Sequence, residues 1–89
     1  MTWRIEFERR ALRDFQRLDR PTRERILRFI TERIEPSADP RSIAEPLSGD
    51  AFAGLWRFRV GNYRLIAQLE DDLFLVLILR VGHRSSIYR

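Results

Sequence analysis

Residues 55–69 have the sequence LWRFRVGNYRLIAQL, and this stretch decides the fold. Apolar side chains recur at every second position on both sides of Gly61-Asn62, a pattern typical of half-buried strands. The two strands are predicted at 55–60 and 63–69. A Gly-Asn pair suits a tight turn with positive φ at both positions, so the stretch predicts a β-hairpin.

Side-chain alternation also sorts the arginines of this hairpin. The apolar side chains of the first strand belong under a cover of helices, so Arg57 and Arg59 point to the opposite face. Arg64 can join them from the second strand, and Gly82 lets the chain turn so that Arg84 reaches the same face. Four converging guanidiniums repel one another unless an anion lies among them, and a phosphate backbone fits because acids are scarce here. The alternative is a solvated strand face with arginines as surface residues, and spacing alone does not decide between the two.

The remaining chain supplies the layers around the hairpin. Before the hairpin, the sequence predicts a half-buried strand at 2–8, a helix at 9–18 and a second helix from Pro21 to about Ile34. A loop follows at 37–54, with room for one helical turn at 41–45. After the hairpin, an apolar strand is predicted at 73–80, and Gly82 ends it before a short tail at 85–89. This order, β-α-α-β-β-β, predicts an α+β fold in which a helical hairpin packs on one face of a mostly antiparallel four-stranded sheet. Because 89 residues leave no room for a second core, residues 1–89 are predicted to form one domain.

Charge is concentrated in the C-terminal part of the chain. The net charge is +4, and all 17 basic residues are arginine. After Asp50 there are six arginines and one histidine against three acids, so the anion-binding potential lies there. Arginine binds phosphate through a planar fork, but its high pKa makes it a poor proton carrier.

The composition also excludes several classes of protein. The absence of cysteine excludes disulfides and cysteine-based zinc sites, and one histidine makes a metal site hard to build. We therefore expect no metal and no other cofactor. The N-terminus has no apolar signal region and no apolar run is long enough to span a bilayer, so we expect a soluble, cytoplasmic protein without a membrane partner. The sequence contains no P-loop, no dinucleotide-binding glycine motif and no HExxH zinc motif.

Two side chains near the C-terminus can do what arginine does poorly. His83 is the only side chain with an ordinary pKa near neutrality, so it is a candidate general acid or base for RNA cleavage. The alternative is that it caps the strand end or is merely exposed. Tyr88 can stack on a base or donate to a phosphate, or it can simply pack the tail onto the sheet.

Three pieces of the sequence together resemble one protein family. Residues 57–64 have the sequence RFRVGNYR, residues 82–84 have GHR, and Tyr88 follows. With PLSG at 46–49 and the β-α-α-β-β-β order, they resemble the RelE branch of the RelE/ParE toxin superfamily. The resemblance covers essentially the whole chain.

The resemblance implies a toxin of a bacterial type II toxin–antitoxin system that inhibits translation. RelE-like members are ribosome-dependent endonucleases that cut mRNA without a metal ion. In that reaction the ribose 2′-OH attacks the adjacent phosphate and leaves a 2′,3′-cyclic phosphate. The implied partners are the ribosome, mRNA and a cognate antitoxin, a small acidic protein of the RelB type, in a toxin–antitoxin hetero-oligomer.

Matching motif positions imply roles for the basic residues. Arg64 would stabilise the phosphate charge, with Arg84 helping at the leaving side. Arg57 would hold the RNA backbone, and Arg59 would hold it more loosely. Tyr88 matches a C-terminal tyrosine that stacks or transfers a proton.

The chain also departs from the best-described RelE sites. Those sites use lysines, and this chain has none. His83 stands where a basic residue often occurs in the family and would supply a proton carrier. The alternative function is that of a ParE-like toxin, which inhibits DNA gyrase by binding and has no nuclease activity. A third is an inactive chain that only binds its antitoxin.

Overall fold

A five-stranded mixed sheet carries two helices on one face in a computed structural model that describes residues 2–88. Along the chain its helices and strands are β1 (Arg4–Phe7), α1 (Arg9–Gln16), α2 (Arg20–Phe29), β2 (Glu45–Pro46), β3 (Trp56–Val60), β4 (Tyr63–Glu70) and β5 (Leu75–His83). The order across the sheet is β1-β5-β4-β3-β2, with β1 parallel to β5 and the other pairs antiparallel. The predicted α+β class and helical hairpin are confirmed.

Polar side chains fix where the two helices begin. The carboxylate of Glu8 accepts a hydrogen bond from the backbone N–H of Arg10 at 2.8 Å at the start of α1. Asp19 does the same for the backbone N–H of Thr22 at 3.1 Å, and Pro21 occupies the first turn of α2. Such caps satisfy backbone donors that the helix itself leaves free. A π-helical turn at Ile30–Ile34 then extends α2 to the predicted end of the second helix.

The sheet has one strand more than predicted. The segment Glu45–Pro46 pairs with β3, so that Glu45 lies opposite Arg57. Its proline is tolerated because β2 is an edge strand, where a missing N–H breaks no internal ladder. The predicted helical turn is present as a 3₁₀ turn at Pro40–Ile43, just before this strand.

The prediction that Gly82 ends the last strand is wrong. Gly82 pairs with Arg64 inside β5, which continues to His83. A Cβ at Gly82 would lie 2.9 Å from Cδ1 of Ile87, whose side chain is buried. The glycine therefore marks a close approach of the tail, which is the other common reason for glycine in a strand. The predicted tail forms turns as far as Tyr88, and Arg89 lies outside the described residues.

The hairpin turn also differs in detail from the prediction. Gly61 has a φ of 60°, but Asn62 does not have a positive φ. Positive φ at the first turn position alone is the pattern of a type II′ turn, which joins antiparallel strands as well as type I′ does.

The hydrophobic core lies between the helices and one face of the sheet. Apolar side chains of both helices meet those of the central strands, and the fully buried ones include Ile26, Phe58, Leu65 and Ile78. No helix within residues 2–88 is both long and apolar enough to cross a membrane. The opposite face of the sheet is covered by neither α1 nor α2 and holds the charged residues described next.

Candidate anion site on the open face of the sheet

The open face is the face of the sheet that points away from α1 and α2. Phe58 and Val60 are buried toward the helices, so Arg57 and Arg59 between them point to the open face. Arg64 lies directly opposite Arg59 in the β3–β4 pair and therefore shares its face. The structure thus confirms that Arg57, Arg59 and Arg64 share one face of the sheet.

Arg84 reaches the same region from the C-terminal end. Its backbone N–H donates to the carbonyl of Asn62 at 2.7 Å, which ties the start of the tail to the hairpin turn. Partial burial lowers the pKa of the Arg64 guanidinium, and the positive charges of nearby arginines lower it further. These arginines are Arg57, Arg59 and Arg84. The site is thus electropositive at Arg64, where a bound anion would be most stabilised.

Backbone carbonyls hold Arg64 in place. Its Nη1 donates to the carbonyls of Gly61 and Tyr63, both at 2.9 Å. No carboxylate within residues 2–88 forms an ion pair with it. A guanidinium fixed by neutral acceptors keeps its charge available for a phosphate.

Glu45 is a member of the site that the sequence did not indicate. One of its carboxylate oxygens lies 3.2 Å from Nε of Arg57 and 2.6 Å from Nε of Arg59. The hydrogen bond from Arg57 is the main cause that lowers the pKa of Glu45. Acids are scarce near these arginines in the sequence, but a two-residue strand brings Glu45 across from a distant part of the chain. Among residues 2–88 no group of three or more histidine or carboxylate side chains is arranged to hold a metal ion.

Tyr88 packs the tail against neighbouring segments, which is one of its two predicted roles. Its hydroxyl accepts a hydrogen bond from Nη1 of Arg57 at 3.2 Å, and its ring meets Phe52 edge-on at 6.1 Å between centroids. The side chain is still 43% exposed. The tail that carries it is anchored by Ile87 against Gly82. Packing therefore positions a phenol at the edge of the arginines.

His83 does not lie with the arginines. It pairs with Tyr63 across β4 and β5, and the two rings meet edge-on at 5.4 Å. Because strand partners share a face, His83 points to the side of Tyr63, whereas Arg64 points to the open face. The backbone N–H of Ser85 donates to Nδ1 of His83 at 3.1 Å. Of the six predicted site residues, the structure brings together five and leaves His83 apart.

Arg80 lies beside the site but is held by an acid. Its Nε donates to Oδ2 of Asp14 at 2.9 Å, and the same oxygen accepts from the backbone N–H of Val81 at 3.0 Å. Only 11% of the Asp14 side chain is exposed. Asp14 thus turns from α1 toward the sheet, where it satisfies the edge of β5 beyond the end of β1.

An apolar cleft of about 410 Å³ adjoins the site. Its apolar lining includes Phe52, Leu55, Ile66, Ile87 and Tyr88, and the charged residues Glu8, Arg10 and Arg80 also line it. Its dimensions and apolar walls suit a flat aromatic group next to the cationic cluster.

Comparison with known sequences places these features in a family. A sequence model described as the ParE toxin of type II toxin-antitoxin system, parDE, matches residues 5–88. Toxin RelG of Mycobacterium tuberculosis is 35% identical over 91 residues, covering 100% of this chain and 99% of that protein. The mRNA interferase toxin RelE of Escherichia coli K12 is 30% identical over 90 residues, covering 99% of this chain and 92% of that protein.

Solved structures agree with the sequence relatives. The RelBE2 toxin–antitoxin complex of Mycobacterium tuberculosis contains a chain that matches with a TM-score of 0.84 and 28% identity, over 94% of this chain and 100% of that one. The RelB–RelE antitoxin–toxin complex of Methanococcus jannaschii matches with a TM-score of 0.67 and 26% identity, over 93% and 94% of the two chains.

Proposed function

Since the chain belongs to the RelE/ParE superfamily and is a toxin of a type II toxin–antitoxin system, we propose that it is a ribosome-dependent endoribonuclease that cuts mRNA and so inhibits translation. The observation that carries this proposal is the convergence of Arg57, Arg59 and Arg84 around Arg64 on the open face, with Tyr88 at their edge. A relative named as an mRNA interferase, 30% identical over nearly the whole chain, supports the same reading.

The arginines supply electrostatic stabilisation of the reacting phosphate. The ribose 2′-oxygen forms a bond to the adjacent phosphorus, the bond to the 5′-oxygen breaks, and a 2′,3′-cyclic phosphate and a 5′-hydroxyl result. Negative charge grows on the phosphate oxygens on the way, and Arg64 and Arg84 donate hydrogen bonds to them. Arg57 and Arg59 hold the flanking backbone, where forked guanidiniums bind phosphates in two-point contacts.

Two other side chains carry the protons. Glu45 lies within the arginines, and its lowered pKa means that it is ionised at neutral pH; its carboxylate then accepts the proton of the attacking 2′-OH as a weak base. The hydroxyl of Tyr88, oriented by Arg57, gives a proton to the leaving 5′-oxygen. His83 stays a predicted proton carrier, and the variants described in the Discussion separate it from Tyr88.

The apolar cleft next to Tyr88 receives a base. A nucleotide whose phosphate contacts Arg57 places its base near Phe52 and Tyr88, and base–aromatic contacts tolerate any sequence. Such a pocket would orient the RNA strand without reading a particular base.

The partner in the absence of RNA is a cognate antitoxin. The structural relatives named above are toxin–antitoxin complexes, and the chain has a net charge of +4. A small acidic protein of the RelB type covers the open face and the outer side of the helices, where Leu12 and Leu27 are exposed. The resulting assembly is a hetero-oligomer in which the arginines are neutralised.

The match to the ParE sequence model favours a second candidate, a toxin that inhibits DNA gyrase by binding. Expression of the chain followed by primer extension on cellular mRNA separates the two. The endonuclease produces cuts at fixed codon positions in translated mRNA and none in a transcript without a start codon. Intact mRNA together with a DNA-damage response would reject the nuclease and support the gyrase inhibitor.

A further inference from the structure

A second cationic cleft lies outside the open face, between α2 and the turn that joins β3 to β4. It encloses about 340 Å³ and is lined by four arginines, one aromatic ring and one carboxylate: Arg25, Arg28, Arg33, Arg59, Phe29 and Glu32. The mechanism described above uses only Arg59 of this set.

The three arginines on the helical side are free of internal ion pairs. Within residues 2–88 no carboxylate pairs with Arg25, Arg28 or Arg33, whereas Arg57 and Arg80 each have an acidic partner. Like charges gathered in one concave surface raise the local positive potential and attract anions. The cleft therefore gathers three arginines whose charge no internal ion pair compensates.

Two contacts orient arginines of this cleft: an aromatic ring for Arg33 and the hairpin backbone for Arg25. The guanidinium of Arg33 lies over the ring of Phe29, 5.7 Å from its centroid. The guanidinium of Arg25 covers Gly61 so closely that a Cβ on Gly61 would lie 2.6–2.7 Å from its atoms. Stacked guanidiniums keep the N–H groups at their edges free for an anion.

Gly61 joins this cleft to the candidate anion site. One side of the residue carries the Arg25 guanidinium, and its carbonyl accepts a hydrogen bond from Arg64 at 2.9 Å. Arg59 lines the cleft and also pairs with Glu45 on the open face. A polymer with a negative charge on every unit can thus bind both sites at once, along a continuous positive surface.

We propose that the cleft of Arg25, Arg28 and Arg33 binds a backbone phosphate of the same RNA strand that is cut at Arg64. This rests on the proposed function, and it adds a second point of attachment beyond the scissile phosphate. Single-stranded RNA fits better than an acidic protein segment because the two sites are continuous through Arg59 and Gly61. The cleft contributes affinity and register but no base recognition.

The test uses fluorescein-labelled RNA whose 2′-O-methyl groups prevent cleavage. Binding of a dinucleotide and of a ten-nucleotide strand is measured by anisotropy for the full chain, for Arg25→Gln/Arg28→Gln and for the matched control Arg13→Gln/Arg17→Gln. Arg13 and Arg17 are equally exposed and line neither cleft. We expect the first pair to weaken binding of the long strand by on the order of tenfold and to reduce the salt slope by about 0.7, since the cleft holds one phosphate and each single-strand phosphate contact contributes about 0.7.

Dinucleotide binding should not change in the first pair, because the short strand reaches only the open face. Glu32→Gln should strengthen binding of the long strand about two- to threefold, since it removes the one acid of the cleft. Equal binding of the long strand by the two double variants would overturn the proposal. Loss of binding to a poly-glutamate peptide without loss of RNA binding would also overturn it, in favour of an acidic protein partner.

Cleavage of translated mRNA, measured separately by primer extension, keeps the two proposals apart. A chain that binds the long strand through the cleft but leaves mRNA intact would reject the nuclease and retain the cleft. A chain that cuts mRNA while both double variants bind alike would reject the cleft and retain the nuclease.

Discussion

The two faces of the β3–β4 hairpin differ in composition and in role. On the helix side, Phe58 and Leu65 are fully buried among apolar neighbours. One residue along each strand, Arg59 and Arg64 face solvent and each other with no helix above them. Side chains one position apart therefore serve stability on one face and anion binding on the other, which makes the two properties separable by substitution.

The largest effect should come from the helix-side face. Phe58→Ala removes a fully buried ring and leaves a cavity, which costs about 3–5 kcal/mol. Folded domains of this kind have only about 5–15 kcal/mol in total, so the variant should unfold at a much lower urea concentration than the parent chain. Urea denaturation followed by circular dichroism measures the loss. The matched control is Arg59→Ala, and a similar loss in both variants would show that the two faces are not separable.

The open face should respond in activity and not in stability. Arg64→Ala removes the guanidinium that the other arginines surround, and we expect mRNA cleavage to fall by about 10²–10³-fold, as for the loss of one transition-state donor. Primer extension measures the cuts, and thermal unfolding should be close to that of the parent chain. Arg13→Ala serves as the charge-matched control on α1. Full cleavage by Arg64→Ala would show that Arg64 takes no part in the reaction. Unfolding of the variant would show that the fold depends on Arg64 and would contradict its assignment to the open face.

A comparison of Tyr88 and His83 sharpens the contrast between the faces. Tyr88→Phe keeps the ring against Phe52 but removes the hydroxyl that Arg57 contacts, so cleavage should fall by about 10²-fold. His83→Gln should have the smaller effect, because His83 lies with Tyr63. The rate of cleavage against pH gives the measurement. If His83→Gln has the larger effect and changes the pH profile, His83 is the proton carrier and the strand end must turn toward the open face.

The smallest effect concerns the acid among the arginines. Arg57 and Arg59 hold the pKa of Glu45 below its ordinary value of about 4.3. A lowered folded-state pKa stabilises the fold at pH values above the unfolded pKa, and this stabilisation is lost as the pH falls through the lower folded value. The Tm difference between the parent chain and Glu45→Gln should therefore be present at pH 7 and shrink toward pH 3. Asp72→Asn, at an exposed acid, is the control, and a difference independent of pH would contradict the ion-pair assignment.

Regular local patterns account for what was predictable from the sequence. Period-two alternation placed Arg57, Arg59 and Arg64 on one face, because side chains of a strand must alternate whatever lies above it. Pro21 similarly marked the start of the second helix, since proline is tolerated in the first turn of a helix and not within it. These features depend on residues within a few positions of each other.

Features that depend on distant residues were missed or misread. Glu45 joins the arginines only because a two-residue strand pairs with β3, and no pattern signals a strand that short. Asp14 binds the edge of β5 and Arg80, which is 66 residues away, and no local pattern indicates that contact. Gly82 has the local signature of a break, yet its role is to admit Ile87.

The sequence by itself determined the layered α+β fold, the hairpin and the arginines that share its open face, because these follow from local periodicity and charge. Only the tertiary structure decided that Glu45 and Tyr88 lie among the arginines while His83 lies apart from them. It also decided that Arg25 meets the hairpin at Gly61. The physical reason is that strand register and chain return, which set these distances, arise from packing between segments and leave no periodic trace along the chain.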